Sequence, residues 1–146
     1  DAVAEAGLAE APGHRLSDWS KHIMAGLTSA TPRPQEIQLH ARSHQLEIRF
    51  DDGASFSLSC EYLRVYSPSA EVRGHGVGQE VLQTGKKNVA ITALEPVGHY
   101  ALKIVFDDGH DSGLYTWDYL YDLGVKHDQY WQDYLNRLAA AGASRE

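Results

Sequence analysis

The sequence predicts an α+β domain: an antiparallel, meander-rich sheet of about six strands from two similar halves, with short capped helices and a C-terminal helix packed against it. Three observations carry this. Apolar residues alternate with polar ones in short runs between residues 37 and 58 and again between 89 and 106, the period of a half-buried strand. The tripeptide Asp-Asp-Gly stands at 51–53 and again at 107–109, each time between two such runs. Near the end, Tyr130, Trp131, Tyr134, Leu135 and Leu138 recur at helical spacing.

Taken in order, residues 1–33 form an N-terminal extension. Residues 1–15, rich in Ala, Glu and Gly, read as a mobile tail. A short amphipathic helix follows, capped by Ser17 and carrying Leu16, Trp19, Ile23 and Leu27 along one stripe. Pro32 and Pro34 end it, because proline disfavours helical geometry in itself and in the residue before it. The folded domain then spans 34–146.

Within it, Ile37, Leu39 and Ala41 give one strand, Leu46, Ile48 and Phe50 a second, and Phe56 and Leu58 a third. The turn at 51–53 has a mechanism: Asp side chains accept from nearby backbone amides, and Gly supplies positive φ. Ser59 reads as an N-cap and Glu61 as a first-turn acid, so CEYLRVY is a brief helix. Residues 67–88, SPSAEVRGHGVGQEVLQTGKKN, lack a period and form the longest loop. The scheme then resumes with Val89, Ile91 and Ala93, a turn at 96–99, and Tyr100, Leu102, Ile104 and Phe106. After the second Asp-Asp-Gly, Leu114 and Tyr115 pair back and Thr116 caps a helix with Asp118 in its first turn. The terminal helix runs for about four turns and frays after Gly142.

The halves align as LEIRFDDG-ASFSLSCEYL and LKIVFDDGHDSGLYTWDYL, with one extra residue in the second. The shared residues all have local structural duties, so the repeat is scaffold. The unshared His110 and Asp111 lie just beyond a turn, where side chains are expected to be exposed and free to bind.

Composition narrows the function. The chain has 146 residues, 42% hydrophobic and 23% charged, as in an ordinary globular domain, and no apolar run approaches a membrane span. Its formal charge of −7 works against nucleic-acid phosphates and anionic lipid. The nearest basic candidates, Arg42 with Arg49 and Lys86 with Lys87, are short and sit beside turns; solvated loops explain them better than a nucleic-acid groove. One cysteine, Cys60, excludes an internal disulfide framework, and the first residues lack a secretory signal, so the expected compartment is the cytoplasm. No histidine is followed two places later by an acid, as an iron-dependent dioxygenase triad normally requires. The stretch GHGVGQ at 74–79 lacks the Gly-Lys-Ser/Thr ending of a phosphate loop. Cys60 reads as a half-buried structural thiol rather than a nucleophile.

The blocks YLRVYSPSAEVRGHG, NVAITALEPVGHYALKIVFDDGHDSGLYTWDYLYDLG and YWQDYLNRL resemble the bacterial DUF971 family, also described as gamma-butyrobetaine hydroxylase-like N-terminal domains. The resemblance covers residues 34–138. It implies a domain that, in carnitine-pathway dioxygenases, precedes a catalytic jelly roll and in many members holds zinc. The motif there is similar to W-L-R-D-N-C-P-C-x-x-C, followed by an acidic turn ending in His. Tyr62-Leu63-Arg64 matches its opening, but the cysteine positions fall on Ser67, Ser69 and Val72, and only His110 matches a ligand. Hydroxyls and an alkyl group do not replace thiolates, so the expectation is that the zinc site is lost and no cofactor is bound. A substitute site would need His110, His75 and Cys60 or acids to converge.

The resemblance also implies kinship with domains appended to iron–sulfur scaffold ATPases of the Mrp type. The expected role is therefore a non-enzymatic accessory or protein-interaction module, whose partner is a metalloenzyme or an iron–sulfur scaffold. Its contact surface is expected at the DDGHDSG turn and the 67–76 loop, using Arg64, His75, Asp108, His110 and Asp111. The alternative is a metal- or small-ligand-binding protein linked to iron–sulfur or metalloprotein assembly.

Overall fold

The computed structural model describes residues 2–4, 31–69, 72 and 81–146. The helix expected around Ser17 and the middle of the long loop, His75 included, lie outside the described residues. Among those described, seven strands form two antiparallel sheets. The first sheet has the order β1-β2-β3-β4, from Ala2–Ala4, Pro34–His40, Gln45–Phe50 and Ser55–Ser59. The second has the order β5-β6-β7, from Ile91–Val97, Ala101–Phe106 and Leu114–Thr116. The helices are α1 (Cys60–Val65), α2 (Trp117–Val125) and α3 (His127–Ala141).

The expected meander strands are all present, divided three and three between two sheets. The tail contributes one more. Ala2, Val3 and Ala4 pair with Leu39, Gln38 and Ile37, because the outer edge of β2 offers unpaired backbone groups to any extended segment. Alternation explains the ladders: Leu46, Ile48 and Phe50 of β3 and Leu102, Ile104 and Phe106 of β6 are buried.

The repeat is reproduced bond by bond. In the first half Phe50 N donates to Ala54 O at 2.8 Å and Gly53 N to Phe50 O at 3.1 Å; in the second, Phe106 N donates to His110 O at 3.0 Å and Gly109 N to Phe106 O at 3.3 Å. Gly53 and Gly109 hold φ of 92° and 88°, where a side chain would be strained. The first Asp of each turn reaches the start of its hairpin, Asp51 accepting from Arg33 N and Asp107 from Ala90 N. Both hairpins carry a register shift near that point, at Pro34/Glu36 and at Ile91/Ala93. These bonds match Ala54 to His110, so the extra residue of the second half falls after His110. Residues 111–113 accordingly stay out of the ladder, and β7 is two residues shorter than β4.

Ser59 caps α1 by accepting from Tyr62 N at 3.0 Å, and Thr116 caps α2 by accepting from Tyr119 N at 3.2 Å. The helices then cross between halves. Tyr62 Oη donates to Leu123 O, at the end of α2, and Tyr119 Oη to Tyr66 O, at the end of α1. Tyr121 of α2 donates to Asp52 of the first Asp-Asp-Gly turn at 2.6 Å, while Arg64 of α1 donates to Asp108 of the second at 2.9 Å. One apolar cluster joins Ile37, Leu46, Leu58 and Leu63 to Leu102, Tyr115, Trp117 and Leu120, so the two halves share a single core.

Helix α3 packs Tyr134 and Leu138 against Val65 of α1. Gly142, at φ 65°, reverses the chain, and Ala143 N returns to Leu138 O. The expected fraying after Gly142 does not occur. Residues 143–146 run back along 85–87, with Gly85 N donating to Ser144 O and Lys87 N to Arg145 O. Arg145 clasps the buried Glu61 through two nitrogens at 2.8 and 2.7 Å, and Tyr134 Oη donates to the same carboxylate at 2.8 Å.

Candidate functional site

The C-terminal end of α1, the chain that follows it and the second Asp-Asp-Gly turn meet at one place. Arg64 Nε lies 2.9 Å from Asp108 Oδ2, and its Nη1 donates to Gln83 Oε1 at 3.0 Å. Lys86 Nζ reaches the same Asp108 oxygen at 2.6 Å, and Asp108 Oδ1 accepts from His110 N at 3.2 Å. Burial pushes the Asp108 carboxyl up, but the bonds from Lys86, the His110 amide and Arg64 outweigh it and hold it at about 2. The Arg64 side chain is only 9% exposed, so this ion pair is largely internal.

A hydrogen-bonded polar cluster adjoins it through His110. His110 Nε2 and Ser67 Oγ are 2.8 Å apart, Ser69 N donates to Ser67 Oγ at 3.2 Å, and Ser69 Oγ and Ser112 Oγ share a hydrogen bond of 2.7 Å. Ser67, Ser69, Val72 and His110 are all buried. Tyr115 Oη donates to Leu63 O at 2.5 Å, and burial raises its phenol well above the ordinary range. Gly113 makes the approach possible, since a Cβ there would run into Ser67 Oγ and press on Pro68 and Tyr115.

Of the residues expected to bind, Arg64, Asp108 and His110 converge, but as internal partners. His110 is 6% exposed, which corrects the expectation that it projects freely beyond the turn. The reason is local: the unpaired stretch 111–113 bends inward at Gly113, and the imidazole takes a hydrogen-bonded place against Ser67. Asp111 is the member that faces solvent, 3.9 Å from Lys103 Nζ and 56% exposed. His75 lies outside the described residues.

Of the positions that the resemblance assigns to zinc, Ser67 contacts His110, Ser69 joins through Ser67 and Ser112, and Val72 N donates to Ser69 O. Their chemistry does not suit the ion: two neutral hydroxyls, a valine and one imidazole lack the thiolates of a tetrahedral site. Among the described residues no group of three His, Cys, Asp or Glu side chains is placed to hold a metal. Cys60 is buried, and burial raises its thiol above the ordinary value, so the nucleophilic thiolate is disfavoured. Sequence reasoning missed Ser112, Gln83 and Lys86 as members of this cluster. Gly113 carried a signal for it, as a glycine one residue before a strand commonly marks a close backbone approach.

Comparison with known proteins agrees with this geometry. The family model described as gamma-butyrobetaine hydroxylase-like, N-terminal, matches residues 37–121, from within β2 to the middle of α2, and so takes in both Asp-Asp-Gly turns, α1 and the His110 cluster. The chain belongs to that family. Two solution NMR structures are similar to it, one at 56% identity with a TM-score of 0.70 over 80% of this chain and 92% of the other. The second is 59% identical, with a TM-score of 0.71 over 83% of this chain and 92% of that one. A crystal structure of a DUF971-family protein of unknown function from Acidithiobacillus ferrooxidans is 37% identical, with a TM-score of 0.52 over 63% of this chain and 92% of that one. No functionally curated protein matches the chain. No helix among the described residues is long and apolar enough to cross a membrane.

Proposed function

We propose that this gamma-butyrobetaine hydroxylase-like domain is a non-catalytic accessory module that binds another protein. One observation carries the reading: the groups with chemical potential are committed to the scaffold. Arg64 and Asp108 neutralise each other and tie α1 to the second turn, His110 is hydrogen-bonded inside, and Cys60 is buried. Such residues hold shape rather than turn over substrate.

The surface available beside them runs from Asp111 to Leu114. Among the described residues β7 is an outer strand and its Leu114 is 42% exposed; with Pro68, Tyr119 and Asp118 it lines a shallow groove of about 340 Å³. An apolar centre with Asp118 and Asp122 in its lining suits a partner segment that presents an apolar side chain flanked by bases. The partner class to test first is the one the resemblance implies, a metalloenzyme or an iron–sulfur scaffold protein.

Affinity capture with the wild-type chain and with Leu114→Glu tests the reading. A specific partner that is recovered with the wild type and lost with the variant is the expected result. Identical recovery by both chains would remove this surface from consideration, and turnover of a substrate by the isolated chain would end the non-catalytic reading.

A further inference from the structure

A separate groove of about 630 Å³ opens where the β2–β3 turn, the 87–88 stretch, α3 and residue Arg145 come together. We propose that it binds a small organic anion, a carboxylate or a phosphate ester. The inference stands apart from the Leu114 surface and from the His110 cluster, since none of their residues lines it.

Charge is the first argument. Arg42, Lys87 and Arg145 line the groove against a single lining carboxylate, Glu61, in a chain whose formal net charge is −7. Glu61 is already satisfied by Arg145 and Tyr134, so it neutralises one cation and leaves two. Lys87 meets Glu146 at 3.0 Å, but their side chains are 44% and 72% exposed, and such a pair is readily exchanged for a better anion. The Arg42 guanidinium makes no hydrogen bond or ion pair among the described residues, and neither does the Asn88 amide. An unpaired guanidinium beside an ammonium is the usual apparatus for a carboxylate or phosphate.

Backbone geometry is the second. His44, at φ 55°, is the one non-glycine residue with positive φ among those described. It is held there by Cys60 N, which donates to His44 O at 2.9 Å, and by the contact of its Nδ1 with Val89 O at 3.2 Å. The ring is thereby fixed at the groove, and its Nε2 makes no hydrogen bond among the described residues. Residues kept in such a conformation concentrate at ligand clamps, where the surrounding structure overrules the local cost.

The third argument gives the ligand a body. Trp131 and His127 line one wall with their rings 3° from parallel, and the Arg145 guanidinium sits 5.2 Å from the Trp131 ring centre. This wall offers a flat surface to an organic group, and the groove lies within the range of small-molecule sites, about 300–1,000 Å³. The fold assembles the site from segments far apart in sequence; the short basic stretches around Arg42 and Lys87 gain meaning only when brought together.

Nuclear magnetic resonance titration of the labelled chain with inorganic phosphate, succinate and AMP tests this. At least one organic probe is expected to saturate with a Kd of about 1 mM or tighter. Its shifts should centre on Arg42, His44, Lys87, Asn88 and the Trp131 indole, and should weaken as salt rises. Succinate and AMP separate a carboxylate from a phosphate ester. The double variant Arg42→Glu, Lys87→Glu should bind at least about tenfold more weakly, whereas Arg49→Glu, a single charge reversal at an exposed site outside the groove, should bind as the wild type does. Absence of saturation, shifts that centre elsewhere, a double variant with unchanged affinity, or AMP and succinate binding no tighter than inorganic phosphate would each overturn the proposal. Loss of partner capture through Leu114 would leave it standing, so the two readings fail separately.

Discussion

Tyr62 and Tyr119 fasten each other's helices: the hydroxyl of Tyr62 donates to Leu123 O at 2.7 Å, and that of Tyr119 to Tyr66 O at 2.5 Å. Each tyrosine occupies the same place in its half, three residues after the capping hydroxyl. Removing either hydroxyl leaves a buried or half-buried carbonyl without its donor. Tyr62→Phe should therefore cost about 1–2 kcal/mol in denaturant unfolding. Because the bond joins the halves, sheet-sensitive and helix-sensitive signals should still fall in one transition; two separated transitions would show that the halves are not one cooperative unit.

Acid should weaken the molecule through Asp108. Its folded value of about 2 lies below the ordinary 3.8, so the unfolded chain binds the proton more readily. The resulting stabilisation, on the order of 2 kcal/mol, is fully present above the unfolded value and is lost as pH falls from about 4 toward about 2. Asp108→Asn should flatten that part of the stability curve and lower stability at neutral pH by uncoupling Arg64 and Lys86. An unchanged curve between those pH values would show that the carboxylate is not held as the structure indicates.

Sulfur should restore what the donor set lacks. Ser67 and Ser69 lie beside His110, and Val72 is buried on the same stretch. A chain carrying Ser67→Cys, Ser69→Cys and Val72→Cys is expected to take up one zinc per molecule and gain thermal stability with it, since a ligand selective for the folded state raises that stability. Metal analysis and melting with and without a chelator would check this. The further change His110→Ala should lower that affinity; equal zinc uptake without the imidazole would mean the metal sits elsewhere.

Arg145 should prove structural as well as electrostatic. Deleting its side chain strands Glu61, which is 4% exposed, with Tyr134 as its remaining side-chain donor. The Arg145 side chain is 37% exposed, so water can enter and soften the penalty, and Arg145→Ala should cost about 1–2 kcal/mol rather than the larger amount typical of a sealed pair. Thermal unfolding would measure it. Pairing Arg145→Ala with Glu61→Gln should recover part of the loss, because the neutral amide no longer needs a cation.

The sequence made the scaffold readable where each duty is local. Gly53 and Gly109 at positive φ, Ser59 and Thr116 as caps, and the alternation of β3 and β6 depend on near neighbours, and all appear as expected. The division into two sheets was hidden because it depends on how the halves pack, and the pairing of Ala2–Ala4 with β2 because it depends on an edge left open far along the chain. His110 misled for a similar reason. Polar residues after a turn are usually exposed, but here Gly113 allows the backbone to close on Ser67, a contact 43 residues away. The groove at Arg42 and Lys87 could not be read from either basic stretch alone.

The exchange of helices between halves has an evolutionary reading. Two copies of one half, each lending its helix to seal the other's turn, would satisfy the same set of bonds as a swapped homodimer. Joining them in one chain releases the copies from identity. One turn could then keep the neutral phenol of Tyr121 as its lock while the other took on Arg64 and Lys86, so that a symmetric ancestor became a molecule with two chemically different ends.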